Sequence, residues 1–117
     1  MSRLRCLFSG VAVAALATAG AAETSLHTVT YVCERGVQVP VTFINQDEGQ
    51  SYAVMMFEGK MIPMRIAPMG SGARYVALDE QDGYRLWTKG DEAMIGYLAA
   101  DHTASEQIFM KECRIGE

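Results

Sequence analysis

The chain has 117 residues, a formal net charge of −4 and 50% hydrophobic residues. That is enough for one small folded domain. The acidic balance excludes binding to nucleic acid or to an anionic surface through bulk charge, and leaves a basic partner open.

The first segment reads as a signal peptide. Arg3 and Arg5 precede an apolar run from Leu7 to Ala19, and Ala19-Gly20-Ala21-Ala22 supplies the small residues that a signal peptidase requires. The run is too short to span a bilayer comfortably. Removal of residues 1–22 leaves one domain, residues 23–117. No cysteine stands near the cleavage point to carry a lipid, so the domain is expected to be soluble, periplasmic and without a membrane anchor. Cys6 leaves with the signal, and Cys33 and Cys113 remain. In an oxidising compartment two cysteines most simply form one disulfide, here between the first strand and the last; two buried free thiols are the alternative. Closing so long a loop is worth about 4 to 5 kcal/mol in the chain-entropy account. No histidine lies near either cysteine in the sequence, which speaks against a metal site there.

Short alternating segments then follow one another. Thr28 to Glu34 sets Val29, Tyr31 and Cys33 against Thr28, Thr30 and Glu34. In the next, Val37, Val39, Val41 and Phe43 alternate with Gln38, Pro40, Thr42 and Ile44, and Pro40 predicts an edge or a bulge. After the polar turn Asn45 to Gln50 comes the apolar run Tyr52 to Phe57. The turn Glu58-Gly59 leads into Lys60 to Ile66, with Ile62, Met64 and Ile66 opposite Met61, Pro63 and Arg65. Arg74 to Leu78, Tyr84 to Lys89, Ala93 to Ala99 and Gln107 to Arg114 complete eight candidate strands, with Asp79 to Gly83 and Gly90-Asp91 as turns. Met94 to Ala100 has some helical propensity, but Gly96 and the flanking turns favour a strand. The pattern predicts an all-β fold, a small eight-stranded antiparallel β-barrel closed by one disulfide.

Ser71 lies between Gly70 and Gly72, at a tip whose backbone is free to adopt left-handed angles. An ordinary flexible turn explains that much. A serine nucleophile fits poorly, because the elbow pattern needs one more residue between glycine and serine. A triad would also need His27 or His102 beside it. Lys89 ends its strand, and Trp87 lies on the same face two positions earlier. The tryptophan belongs either to the core or over the lysine stem. In an antiparallel hairpin Ser71 and Lys89 lie side by side at one rim, which suits gripping acidic groups better than catalysis.

These residues resemble the C-type lysozyme inhibitor family, the membrane-bound and periplasmic inhibitors of Gram-negative bacteria. The resemblance rests on Tyr31-Val32-Cys33, Ser71-Gly72-Ala73-Arg74-Tyr75, the run from Trp87 to Ala93 and the late Cys113. It implies an eight-stranded barrel with a Cys33–Cys113 disulfide, and a protruding loop that enters the lysozyme cleft to evade host defence. Ser71 and Lys89 would contact the catalytic carboxylates, with Gly70, Gly72, Ala73 and Tyr75 completing the binding segment. The partner would be a c-type lysozyme, with no enzymatic activity and no cofactor; a homodimer is left open. Two departures stand out. Met69-Gly70-Ser71 replaces the family's frequent Ser-Ala-Ser, and the stretch from Tyr75 to Trp87 is longer, with the acidic Asp79-Glu80-Gln81-Asp82.

Two other functions use the same chain. Met55, Met56, Met61, Met64 and Met69 offer thioethers for Cu(I), although methionines readily fill a small core and Met56 and Met64 fall on apolar alternating positions. A periplasmic ligand-binding barrel is the other.

Overall fold

Strict apolar–polar alternation over five to nine residues commits a segment to a half-buried strand, and the turns between these segments are too short for crossovers. The computed structural model describes residues 23–116, and the expected signal peptide, residues 1–22, lies outside them. The strands are β1 (Thr24–Val32), β2 (Gln38–Gln46), β3 (Tyr52–Phe57), β4 (Lys60–Ala67), β5 (Ala73–Ala77), β6 (Gly83–Lys89), β7 (Glu92–Leu98) and β8 (Gln107–Ile115). Each pairs antiparallel with its neighbours in chain order, and β8 returns to β1 to close the barrel. The expected fold class is therefore the observed one.

Inward positions fill the interior. Val39, Val41, Ala53, Met55, Met64, Leu86, Ile95 and Cys113 are essentially inaccessible. Phe57, Tyr84, Tyr97 and Phe109 stack edge-on or in parallel towards one end, with ring centroids 5.0 to 6.2 Å apart. Below this cluster, Tyr84 donates to Glu58 at 2.8 Å, Tyr97 donates to Asp82 at 2.9 Å, and Lys60 donates to the other Asp82 oxygen at 3.0 Å. These contacts tie the β3–β4 and β5–β6 turns together.

The seam between β1 and β8 is short. Only Tyr31↔Ile115 and Val32↔Arg114 pair in register, extended by the Gly116 amide donating to the Thr30 carbonyl at 2.9 Å. The Cys33–Cys113 disulfide, spanning 80 positions, links the same two strands where this pairing ends.

Several elements differ from the expectation. β1 begins at Thr24 rather than Thr28, because β2 continues to Gln46 and pairs with it throughout. Glu34 leaves the strand for a 3-10 turn, Glu34–Gly36, in which Arg35 (φ 63°) and Gly36 (φ 73°) are left-handed. Met56 points outward and Met55 inward, correcting the phase expected for Met56; a continuous apolar run carries no alternation to set it. Pro40 lies opposite Thr30, one residue before pairing with β3 begins at Val41. Since the Thr30 carbonyl faces β8, Thr30 and Pro40 form a non-hydrogen-bonded pair, and the missing N–H points to the side where β3 is absent.

Candidate functional site

In an up-and-down barrel alternate turns share one end. The β2–β3, β4–β5 and β6–β7 connections therefore lie together, with the start of β1 and the end of β8. Ser71 sits in the β4–β5 loop, residues 68–72, and Lys89 at the end of β6.

Three local features hold the two together. Ala73 pairs with Thr88, so the loop enters β5 directly beside the β6–β7 turn. Gly72 has φ 72°, and a Cβ there would lie 2.4 Å from the Thr88 carbonyl oxygen and 3.2 Å from the Lys89 Cβ. Only glycine allows both that angle and that approach. Gly90 (φ 60°) opens a two-residue turn, closing the hairpin in which Lys89 pairs with Glu92. The root of the loop is braced from the β2–β3 connection. The Ile66 amide donates to the Ser51 carbonyl at 3.0 Å, and the Gln50 side chain donates to the Ile66 carbonyl at 2.8 Å.

Ser71 and Lys89 border one open cavity of about 870 Å³, together with Gly70, Trp87, Glu92 and Arg114 among others. Both are exposed. Glu92 pairs with Arg114 at 2.9 Å, and none of the ion pairs among the described residues engages Lys89. The Ile115 amide donates to the Asp91 carbonyl at 3.0 Å, fixing the turn to the last strand. The site thus presents an ammonium and a hydroxyl on two anchored turns, with the neighbouring Glu92 carboxylate held by Arg114.

The remaining expected residues divide. Gly70 lies at the exposed tip, where a Cβ would meet nothing within 4 Å. Ala73 is half-buried at the loop root. Tyr75 belongs to the interior: it is 4% exposed, its ring lies 5.5 Å from that of Phe43, and burial raises its phenol pKa. Burial likewise raises Tyr31, with Tyr75 and Asp91 adding to the effect. Trp87 lies on the outer face, not in the core. Its ring covers Gly96, where a Cβ would come within 2.8 Å of it. His102 is in the β7–β8 loop at the other end of the barrel, beside Asp101, and His27 lines a separate cavity with Tyr31 and Tyr75. No hydrogen bond among the described residues joins Ser71 to either histidine. Of the five clustered methionines, Met55 and Met64 are buried, Met69 is in the loop, and only Met56 and Met61 face each other on the outside. The outward position of Trp87 and the Gly96 beneath it were the features that sequence reasoning left open; a lone glycine inside a strand is their signal.

The family described as membrane-bound lysozyme-inhibitor of c-type lysozyme matches residues 31–104, which hold both loops. The chain belongs to this family. Three solved structures are similar. The periplasmic lysozyme inhibitor of C-type lysozyme from Salmonella typhimurium is 29% identical over 80% of this chain and 100% of its own, with a TM-score of 0.65. Pseudomonas aeruginosa MliC, in complex with hen egg white lysozyme, is 26% identical over 83% and 88%, with a TM-score of 0.60. The Adhesin Complex Protein from Neisseria meningitidis is 25% identical over 77% and 99%, with a TM-score of 0.50. No curated protein sequence matches the chain.

Proposed function

We propose that this protein is a non-enzymatic, periplasmic inhibitor of c-type lysozyme that inserts the Ser71 loop and Lys89 into the enzyme's cleft. The observation that carries this reading is the contact of Gly72 with Thr88, which sets hydroxyl and ammonium on one rim of the barrel. A retaining glycosidase works with two carboxyls about 5 Å apart, one of which must be protonated to act as the acid. An ammonium brought between them favours the charged form of both and so disarms the acid. The Ser71 hydroxyl donates to one carboxylate, and the loop occupies the space of the sugar ring. Lys89 enters the complex without first breaking an ion pair among the described residues.

The test is lysis of wall substrate by a c-type lysozyme with the mature protein added, and a goose-type enzyme as control. Inhibition of the c-type enzyme alone is expected. No inhibition of it, or equal inhibition of both, overturns the reading.

A further inference from the structure

The outer wall of β4, β5 and β6 carries a charge pattern opposite to that of the whole chain. Arg65 and Arg85 flank Val76 in one cross-strand row, and Arg74 stands beside Trp87 in the next. Between them they leave Val76 only 4% exposed. The ion pairs among the described residues are Lys60–Asp82, His102–Asp101 and Arg114–Glu92, so none of these three arginines is neutralised by one. The Nε atoms of Arg74 and Arg85 are buried with no hydrogen-bond partner. Three arginines thus project from neighbouring positions of one wall, and none of the ion pairs among the described residues engages them, an arrangement that attracts an anion.

The same wall turns apolar along the strands. Met61 is 69% exposed and Leu78 48% exposed, and between them stands the exposed Pro63, whose carbonyl accepts from the Leu78 amide at 3.0 Å. These residues and the arginines are the outward positions of the same strands or their ends. Asp79 and Asp82 border this apolar end together with Lys60, which is ion-paired to Asp82. Exposed Glu80 lies between the two aspartates in the same turn, and carboxylates farther away are screened over about 8 Å at physiological salt.

We propose that this wall docks on a phospholipid surface bearing anionic headgroups, with Arg65, Arg74 and Arg85 on the phosphates and Met61, Pro63 and Leu78 in the interfacial layer. Exposed apolar side chains continuous with unpaired arginines fit a lipid surface better than a free anion, which has no use for the apolar half. The proposal is independent of the lysozyme reading, since neither Arg65 nor Arg85 borders the Ser71–Lys89 cavity.

The test is co-sedimentation of the mature protein with vesicles of mixed phosphatidylglycerol and phosphatidylcholine, against vesicles of phosphatidylcholine alone. Salt-sensitive partitioning into the first only is expected. Each arginine near an anionic surface contributes about fivefold, so Arg65→Gln/Arg85→Gln should weaken partitioning about twenty-fivefold. Met61→Gln/Leu78→Gln should weaken it as well while leaving its salt sensitivity. Trp87 fluorescence and a thermal melt establish that each variant is folded, and inhibition of lysozyme should be unchanged in both. Equal binding to both kinds of vesicle, no binding to either, or folded variants that partition like the parent overturns the proposal. So does saturable binding of inorganic phosphate without any binding to vesicles.

Discussion

Gly70 and Gly72 flank the same serine, yet the structure assigns them opposite sensitivities. Gly72→Ala places a methyl group 2.4 Å from the Thr88 carbonyl oxygen in a backbone held at φ 72°, whereas Gly70→Ala meets nothing within 4 Å and carries no positive φ. A left-handed alanine costs roughly 1 to 2 kcal/mol. Overpacking against backbone, which cannot rotate away, adds roughly 1 to 3 kcal/mol. Gly72→Ala should therefore lower stability by about 2 to 5 kcal/mol or relieve the clash by moving the loop from the β6–β7 turn. The second response separates Ser71 from Lys89. Urea denaturation and the inhibition constant against a c-type lysozyme, measured on both variants, read the two effects. Gly70→Ala should stay within about 0.5 kcal/mol of the parent in stability. If both alanine variants match the parent in both assays, the Gly72–Thr88 contact does not position the site.

Lys89→Ala should raise the inhibition constant by the equivalent of about 2 to 5 kcal/mol, the cost of leaving desolvated carboxylates without their cation. Ser71→Ala should raise it less, by about 1 kcal/mol for one hydrogen bond; titration inhibition assays distinguish both from no change. Reduction of Cys33–Cys113 should lower stability by up to about 4 to 5 kcal/mol, seen as a lower denaturation midpoint with reductant than without. Gly96→Ala should displace Trp87, the chain's single tryptophan, and shift its emission maximum. Asp82 has its pKa lowered, first by the hydrogen bond from Lys60 and then by that from Tyr97. Its folded value lies below its unfolded one, so this contribution is present above pH 3.8 and lost as pH falls through the folded value. Acid titration of stability should accordingly show a shallower loss in Asp82→Asn than in the parent.

Alternation carried most of the fold. Val39, Val41, Ile62 and Met64 are buried where their period placed them, and β3 has the predicted limits. Where the pattern was silent, the phase was lost. Tyr52 to Phe57 is apolar throughout, so only its pairing with β2 and β4 decides that Met55 enters the core and Met56 does not. The first four residues of β1 are polar or exposed and become a strand only because β2 runs alongside. The left-handed Glu112 accompanies a register shift between β7 and β8, a bulge set by pairing between strands that no local window contains. In the site, glycine spacing identified the tip, but the contact that pins it to Thr88 joins residues from different hairpins. The arginine wall was illegible for the same reason: Arg65, Arg74 and Arg85 are neighbours only across strands.

The short β1–β8 seam has a consequence for motion. A barrel opens where the fewest ladder bonds must break together, and here that place is Tyr31 and Val32 against Ile115 and Arg114. Amides along this line should exchange with solvent well before those between β3 and β4, which pair over six positions. The disulfide does not stop such opening; it limits how far the first and last strands part, so that closing is a short return rather than a search. Because the β6–β7 turn is tied to β8 through Asp91 and Ile115, each opening also loosens the footing of Lys89. Slow amide exchange in the lysozyme complex at Gly116, whose amide crosses the seam to the Thr30 carbonyl, would report that the partner holds the seam shut.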